Sequence, residues 1–373
     1  MQKLFVKREK KTANELETEL LRACDDGVTD KIKPLLKNSN VNPNCETVTG
    51  ATPFFVACQK GHNEIVKILL NDKRIEVNRE TDERLTAFSA VCLNGKLETI
   101  KLLLGDERVE VNFGNKEGNS PLHTACQKGQ ADVVKVLLES KRVDVNKAYD
   151  YGRTPFYVAC KSGHTEVLKL LLSDERIDVN KPDDDVTTPF YIACHFGHVD
   201  AVKLLLGNKK IDINTATYYG WTPLIIACNS EKIDILKLLL SDERLEINKA
   251  DKDGLTPLLV AHKKGNVEVL KLLLKDERIE INKAHKNGET PLYLACYYGQ
   301  SEVVPYMLAH KGEIDLTMKD KNGKTAVDIA RDRGHGDIVK LIETFQENPN
   351  EVRQKWRYQL GIDGKNFIYL FIY

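Results

Sequence analysis

Residues 154–187 read TPFYVACKSGHTEVLKLLLSDERIDVNKPDDDVT, and this stretch decides the architecture because nearly every part of it has a mechanical role. The Thr154 hydroxyl is placed to cap a helix, and Pro155 takes the first helical position, where a missing N–H costs nothing. Gly163 can then stop that helix in a left-handed conformation. In the following TEVLKLLLSDE, Val167, Leu168, Leu171 and Leu172 fall at i, i+1, i+4 and i+5 on one broad apolar face, which predicts a second, antiparallel helix. Ile177 and Val179 alternate with polar neighbours before an acidic turn, so the unit closes as an extended arm and a hairpin-like finger.

The same unit recurs along the chain. Thr-Pro stands at Thr52, Thr154, Thr188, Thr222, Thr256 and Thr290, with Thr86-Ala87 and Ser120-Pro121 filling the other slots at an interval of 34, and Thr325-Ala326 following after 35. Eight of the nine cysteines obey this interval: Cys24, Cys58, Cys92, Cys126, Cys160, Cys194, Cys228 and Cys296. His262 holds the slot without one, and Cys45 lies outside the register. A period of this size signals stacked supersecondary units, each too small to bury its own apolar face.

Composition narrows the function classes. The 373 residues are 42% hydrophobic, enough for a sizeable core, and 55 Lys+Arg balance 55 Asp+Glu, so no global field draws in nucleic acid or an acidic membrane. No run of about 18 apolar residues offers a membrane span. The N-terminus MQKLFVKREKKTANELE has no signal-peptide stretch, and the long chain makes the cysteines a poor disulfide framework, so a cytoplasmic setting is expected. Lys7-Arg8-Glu9-Lys10-Lys11 is a candidate nuclear address.

The unit resembles the ankyrin repeat, whose T-P-L-H-x-A-A-x-x-G-H and V-V-x-x-L-L pattern is matched as T-P-F/L-F/Y-x-A-C-x-x-G-H and V-V/L-K-x-L-L over about residues 12–343. The resemblance implies an all-α repeat solenoid, a stack of antiparallel helix pairs with projecting hairpin-like fingers. Two departures stand out. The usual histidine after Thr-Pro-Leu survives only at His123, which puts its hydrogen-bond network in question. A D-E-R type turn, one residue longer, replaces the usual Gly-Ala-Asp and is read as lengthening a loop without touching the helices.

The boundaries follow: a basic tail at 1–11, an N-terminal cap at 12–43, repeats over about 44–311, a C-terminal repeat at 312–343, and a helix with an apolar tail at 344–373. The first and last pairs, ANELETELLRACDDG and KTAVDIARDRGHGDIVKLIE, are polar as end caps must be. Past them, a helix started by Asn348-Pro349 carries Val352, Trp356 and Leu360 on one face and is expected to fold back onto the last repeat. NFIYLFIY at 366–373 reads as a strand without a partner, which suggests that the chain is a fragment.

Catalysis, metal and cofactor chemistry find no support in these motifs. Each repeating cysteine occupies a small buried slot beside alanine, and no C-x-x-C spacing exists. Cys194, His195 and His198 lack a fourth zinc ligand, Asp183-Asp184-Asp185 lacks the closing glutamate of a calcium loop, and Gly323-Lys324-Thr325 lacks the first glycine of a phosphate loop. The column Lys67, Lys101, Lys135, Lys169, Lys203, Lys237 and Lys271 follows Glu64, Glu98, Asp132, Glu166, Asp200, Asp234 and Glu268 by three residues, which reads as mutually neutralising pairs and not as a nucleic-acid ladder.

Information about partners is then expected where repeats differ. In ankyrin domains these positions are the finger tips, the residue before Thr-Pro and the pair between Ala-Cys and Gly, which line a concave face. Here they are unusually aromatic: Tyr149, Tyr151, His195, Phe196, Tyr218, Tyr219 and Trp221, with His285, Tyr297 and Tyr298 farther along and acidic Asp183–Asp185, Arg153 and Lys161 as a polar rim. The reading is a monomeric, non-catalytic scaffold that binds another protein. The alternative is a targeting region of a larger ligase- or kinase-like enzyme. The column Asn78, Asn112, Asn146, Asn180, Asn214, Asn248 and Asn282 is assigned to finger backbone hydrogen bonds.

Overall fold

A computed structural model describes residues 13–362. Within them lie 21 helices and no strand, only an isolated antiparallel bridge between Tyr149 and Arg153. The basic cluster at Lys7–Lys11 and the apolar tail at 366–373 lie outside the described residues. The chain divides into two compact units at Asp183/Asp184.

The first unit holds α1 (Ala13–Asp26), α2 (Thr29–Leu36), α3 (Pro53–Lys60), α4 (Asn63–Leu70), α5 (Ala87–Leu93), α6 (Leu97–Leu104), α7 (Pro121–Lys128), α8 (Ala131–Leu138), α9 (Pro155–Ser162) and α10 (Thr165–Leu172). First helices pack on first helices, α1 on α3, α3 on α5, α5 on α7 and α7 on α9, while second helices pack on second helices from α2 through α10. This is why the Pro-to-Cys stretch of α9, packed on α7 and on its own partner α10, is buried, Phe156, Ala159 and Cys160 completely. The second helix buries Val167, Leu168 and Leu171 and leaves its outer face in water. Each such aliphatic side chain contributes about 1.5–3 kcal/mol of burial.

The second unit repeats the plan with α11 (Pro189–Phe196), α12 (Val199–Gly207), α13 (Pro223–Asn229), α14 (Ile233–Leu240), α15 (Pro257–Lys264), α16 (Val267–Leu274), α17 (Pro291–Tyr297), α18 (Val304–Leu308), α19 (Ala326–Asp332) and α20 (Gly336–Glu347). The short α18 departs from the pattern: Pro305 stands where the preceding repeat has Lys271 and falls in the first turn, where its missing N–H costs least. Finally α21 (Pro349–Gln359) folds back onto α18 and α20, with Val352 buried, Trp356 stacked on Phe345 and Arg357 donating to the Ala309 carbonyl at 3.0 Å.

The start signals act as the sequence suggests. Thr52, Thr86, Ser120, Thr154, Thr188, Thr222, Thr256, Thr290 and Thr325 each accept a hydrogen bond from the third helical amide. The Gly-His dipeptide between paired helices is a joint to the preceding repeat. His164 contacts the Gln127 carbonyl through Nε2 at 3.0 Å, and its ring lies so close to Gly129 that a β-carbon there would come within 2.7 Å. His62 does the same to the Asp25 carbonyl.

One expectation is overturned. The longer Asp-Glu-Arg turn does touch the helices: its arginine reaches back to cap the preceding second helix. Arg74 donates to the Leu36 carbonyl, Arg108 to Leu70, Arg142 to Leu104 and Arg176 to Leu138, and in the second unit Arg244 to Leu206 and Arg278 to Leu240. The aspartate two residues earlier fixes most of these guanidinium groups. Its hydrogen bond from arginine holds Asp72, Asp106, Asp174 and Asp242 below the usual carboxylate range.

The asparagine column, expected to bond finger backbone, instead bonds the following repeat's turn. The Asn78 amide donates to the Arg108 carbonyl while its oxygen accepts from the Glu110 amide, so one side chain grips the next repeat's turn at two points. Asn112, Asn146, Asn214, Asn248 and Asn282 make the same pair of bonds.

Candidate partner-binding surface

With helices, arginines and asparagines committed to the stack, the fingers and the ends of the first helices carry the side chains left outside. The fingers are tight turns closed by backbone bonds, such as Thr81 N to Leu85 O and Thr217 N to Trp221 O, both 3.0 Å. In the second unit successive fingers also bond to one another, Tyr218 N to Asp185 O and Lys252 N to Tyr219 O at 3.2 Å. Gly220, at φ +87°, makes this approach possible: a β-carbon there would lie 2.6 Å from the Lys252 amide nitrogen.

In the first unit the Tyr149–Arg153 finger divides its residues between two tasks. Tyr149 is half-buried; its hydroxyl donates to the Asn112 carbonyl at 2.7 Å and its ring stands edge-on to His123. Tyr151, at φ +62°, is 68% exposed. The Arg153 guanidinium lies 5.0 Å from the Tyr151 ring and 5.8 Å from the buried Tyr157 ring, and its Nε is 3.9 Å from the Asp183 carboxylate. Asp183, read from the sequence as part of an acidic finger tip, is buried. Burial, and then Asp183, pushes the Tyr157 hydroxyl up. Lys161 is half-buried in the last turn of α9.

His123 is buried with Nδ1 unpartnered, and desolvation takes it down to about 4. It packs as a neutral ring and builds no histidine network.

In the second unit Tyr218, Tyr219 and Trp221 come together. Tyr218 and Tyr219 are 61% and 70% exposed and meet edge-to-face, with Lys252 Nζ 3.9 Å from the Tyr218 ring centre. Trp221 is half-buried and helps to line an open cleft of about 700 Å³ with Thr187, Tyr191, Thr217, Tyr219, Asp185, Asp251, Lys252 and Asp253. Tyr191, Asp251 and Asp253 are candidates missed in the sequence, whereas Asp185 belongs to the acidic rim expected there. Tyr191 occupies a repeating scaffold slot that is buried in α9 and half-open in α11.

His195 and Phe196 end α11, and neither lines this cleft. Their rings meet edge-to-face, and Phe196 stacks on His198. Burial, reinforced by Lys232, lowers the His195 pKa. Tyr297 and Tyr298 form a separate pair at the end of α17, where Arg333 lies 3.8 Å over Tyr297. His285 is half-buried beside Glu289.

The tempting chemistry resolves into packing. All nine cysteines are buried and free, and burial pushes the Cys24 and Cys296 thiols up to about 12, far from the thiolate a nucleophile or ligand needs. The second-helix lysines pair as expected in Lys67–Glu64, Lys101–Glu98 and Lys169–Glu166, but Lys271 pairs with Glu302 of the next repeat, whose own partner position is Pro305. No helix among the described residues is long and apolar enough to cross a membrane.

A family model for ankyrin repeats matches residues 2–81, 20–112, 87–183, 141–217, 177–251, 215–285, 230–320 and 277–351. The chain belongs to the ankyrin-repeat family. Among solved structures, the ankyrin repeat domain of Bcl-3, described as a unique member of the IkappaB protein family, is similar at 24% identity with a TM-score of 0.55. It covers 60% of this chain and all of its own, a likeness of fold. No curated protein matches the sequence. Ankyrin repeats are in general protein–protein interaction modules, and the helix pairs, caps and fingers described above are their parts.

Proposed function

We propose that this ankyrin-repeat protein is a non-catalytic scaffold that binds a partner protein through its finger tips and the ends of its first helices. The observation that carries this reading is the exposure of Tyr218, Tyr219 and Tyr298 in the second unit, and of Tyr151 in the first, at positions the stack does not use. Exposed aromatics add nothing to repeat packing, whereas tyrosine and tryptophan dominate interface hot spots because they bury much area at little entropic cost. The half-buried Trp221, which lines a cleft with Tyr219, supplies a rigid anchor beside the second unit's tyrosines.

The test is affinity capture with the full chain and with a Tyr218→Ala/Tyr219→Ala variant of unchanged thermal unfolding. A partner retained by the first and lost by the second supports the reading. Identical eluates from both refute it.

A further inference from the structure

The cleft beside Trp221 has a chemistry of its own. Its aromatic walls are Tyr191, Tyr219 and Trp221, and its rim carries three carboxylates, Asp185, Asp251 and Asp253, together with the ammonium of Lys252. That ammonium is drawn toward the Tyr218 ring. Asp251 spends Oδ1 on the amides of Asp253 and Leu255, which fixes the finger and holds its carboxylate at the rim. Asp253 is largely exposed, 3.8 Å from Lys286.

Aromatic faces carry the negative end of a quadrupole, and carboxylates around them deepen the potential, so such a cleft favours a cation over a neutral or anionic group of the same size. The unit already shows this preference: Lys252 lies over Tyr218 and Arg333 over Tyr297. Among the described residues of this unit, no lysine or arginine lies over Tyr219 or Trp221 in the same way.

We propose that the cleft receives a lysine or arginine side chain projecting from an extended basic segment of the partner protein. This deepens the interaction reading and rests on it. The cation sits against Trp221 and Tyr219, its charge faces Asp185 and Asp253, and the segment's backbone runs across the finger tips. The chain's zero net charge makes this recognition local: selectivity comes from one cleft and not from a field over the whole surface.

The experiment uses the full chain with 5-fluorotryptophan at its two tryptophans, 221 and 356, followed by fluorine NMR. The probes are capped alanine pentapeptides with a central lysine, arginine or norleucine, the last matching lysine in length without its charge. A lysine or arginine peptide should move the Trp221 resonance saturably and leave Trp356 still. The norleucine peptide should bind about tenfold more weakly or worse, and Asp253→Asn should weaken the cationic peptides alone. Equal shifts from norleucine and lysine, or no Trp221 shift from either cation, overturn the proposal. In the second case, a partner still captured through Tyr218 and Tyr219 leaves the interaction reading standing while this inference falls.

Discussion

Arg108 donates to the carbonyl oxygen of Leu70, 38 residues earlier and 2.6 Å away. The bond ties the turn of one repeat to the last turn of the preceding repeat's second helix, α4, where carbonyls lack intrahelical partners and the helix dipole is negative. Arg142 goes further and donates to the carbonyls of Leu104, Asp106, Glu107 and Val109. Arg142→Ala should therefore cost about 2–3 kcal/mol by urea unfolding, against about 1 kcal/mol for the more exposed Arg74→Ala. Arg142→Lys should recover less than half of the loss, because an ammonium cannot span four acceptors. Equal costs for the two alanine variants would contradict the capping role.

The histidines predict an acid limb. His123 and His262 are buried and held neutral, each down to about 4 from an ordinary 6.5, by desolvation. Between those values the unfolded chain takes up protons that the folded protein refuses, so stability falls as pH drops through this window and is complete above it. The loss is at most about 3 kcal/mol per histidine. His262→Cys, the residue most repeats use in this slot, should flatten part of the limb when denaturation midpoints at about pH 7.5 and about pH 5 are compared. A variant as acid-sensitive as the parent would rule out His262 as a contributor.

Two glycines should respond in opposite directions. Gly129 has φ +71° and the His164 ring against it, whereas Gly207 ends α12 with nothing near its missing β-carbon. Gly129→Ala should destabilise by more than about 1 kcal/mol, and Gly207→Ala should stabilise by about 0.5–1 kcal/mol. Melting temperatures of the two variants check both signs.

Much of the fold is legible in the sequence because its signals are repeated. A threonine at one interval, a proline after it and a glycine eight residues on from that proline state the same helix many times, and every threonine caps as read. The Asp-Glu-Arg turn was legible as an insertion but not as a cap, since its target is a backbone carbonyl in another repeat and carbonyls leave no mark in a sequence. Pro305 was visible, and its place in the first turn of α18 follows from its missing N–H. The candidate surface was harder to read. Tyr149 and Tyr218 look alike as finger aromatics, yet one hydroxyl is bonded to Asn112 while the other residue stands open, because Tyr149 holds the closing position that Thr217 has in its finger and Tyr218 stands one residue nearer the tip.

The tyrosines should separate binding from folding. Tyr219→Ala should change unfolding free energy by no more than about 0.5 kcal/mol and weaken partner binding by about 2 kcal/mol or more. Tyr149→Ala should do the reverse, costing stability through the lost Asn112 bond. Calorimetry of both variants, with and without the captured partner, would expose any error in this division.

The cysteines should stay silent in the native state. Burial, with Cys24 and Cys296 at about 12, leaves negligible thiolate at neutral pH, so labelling by a thiol reagent should proceed only as fast as local or global opening allows. Rapid labelling of any thiol without denaturant would show that its repeat opens on its own.

The two-point grip of each asparagine on the following turn has an evolutionary corollary. Asn78, Asn112 and Asn146 hold their successors through main-chain atoms alone, and Arg108, Arg142 and Arg176 answer through main-chain atoms of their predecessors. Coupling written in backbone is blind to side-chain identity. A module that keeps its asparagine and arginine can re-form these bonds with whichever module adjoins it after a duplication or deletion, while the finger tips drift toward a new ligand, so copy number and specificity can be selected independently.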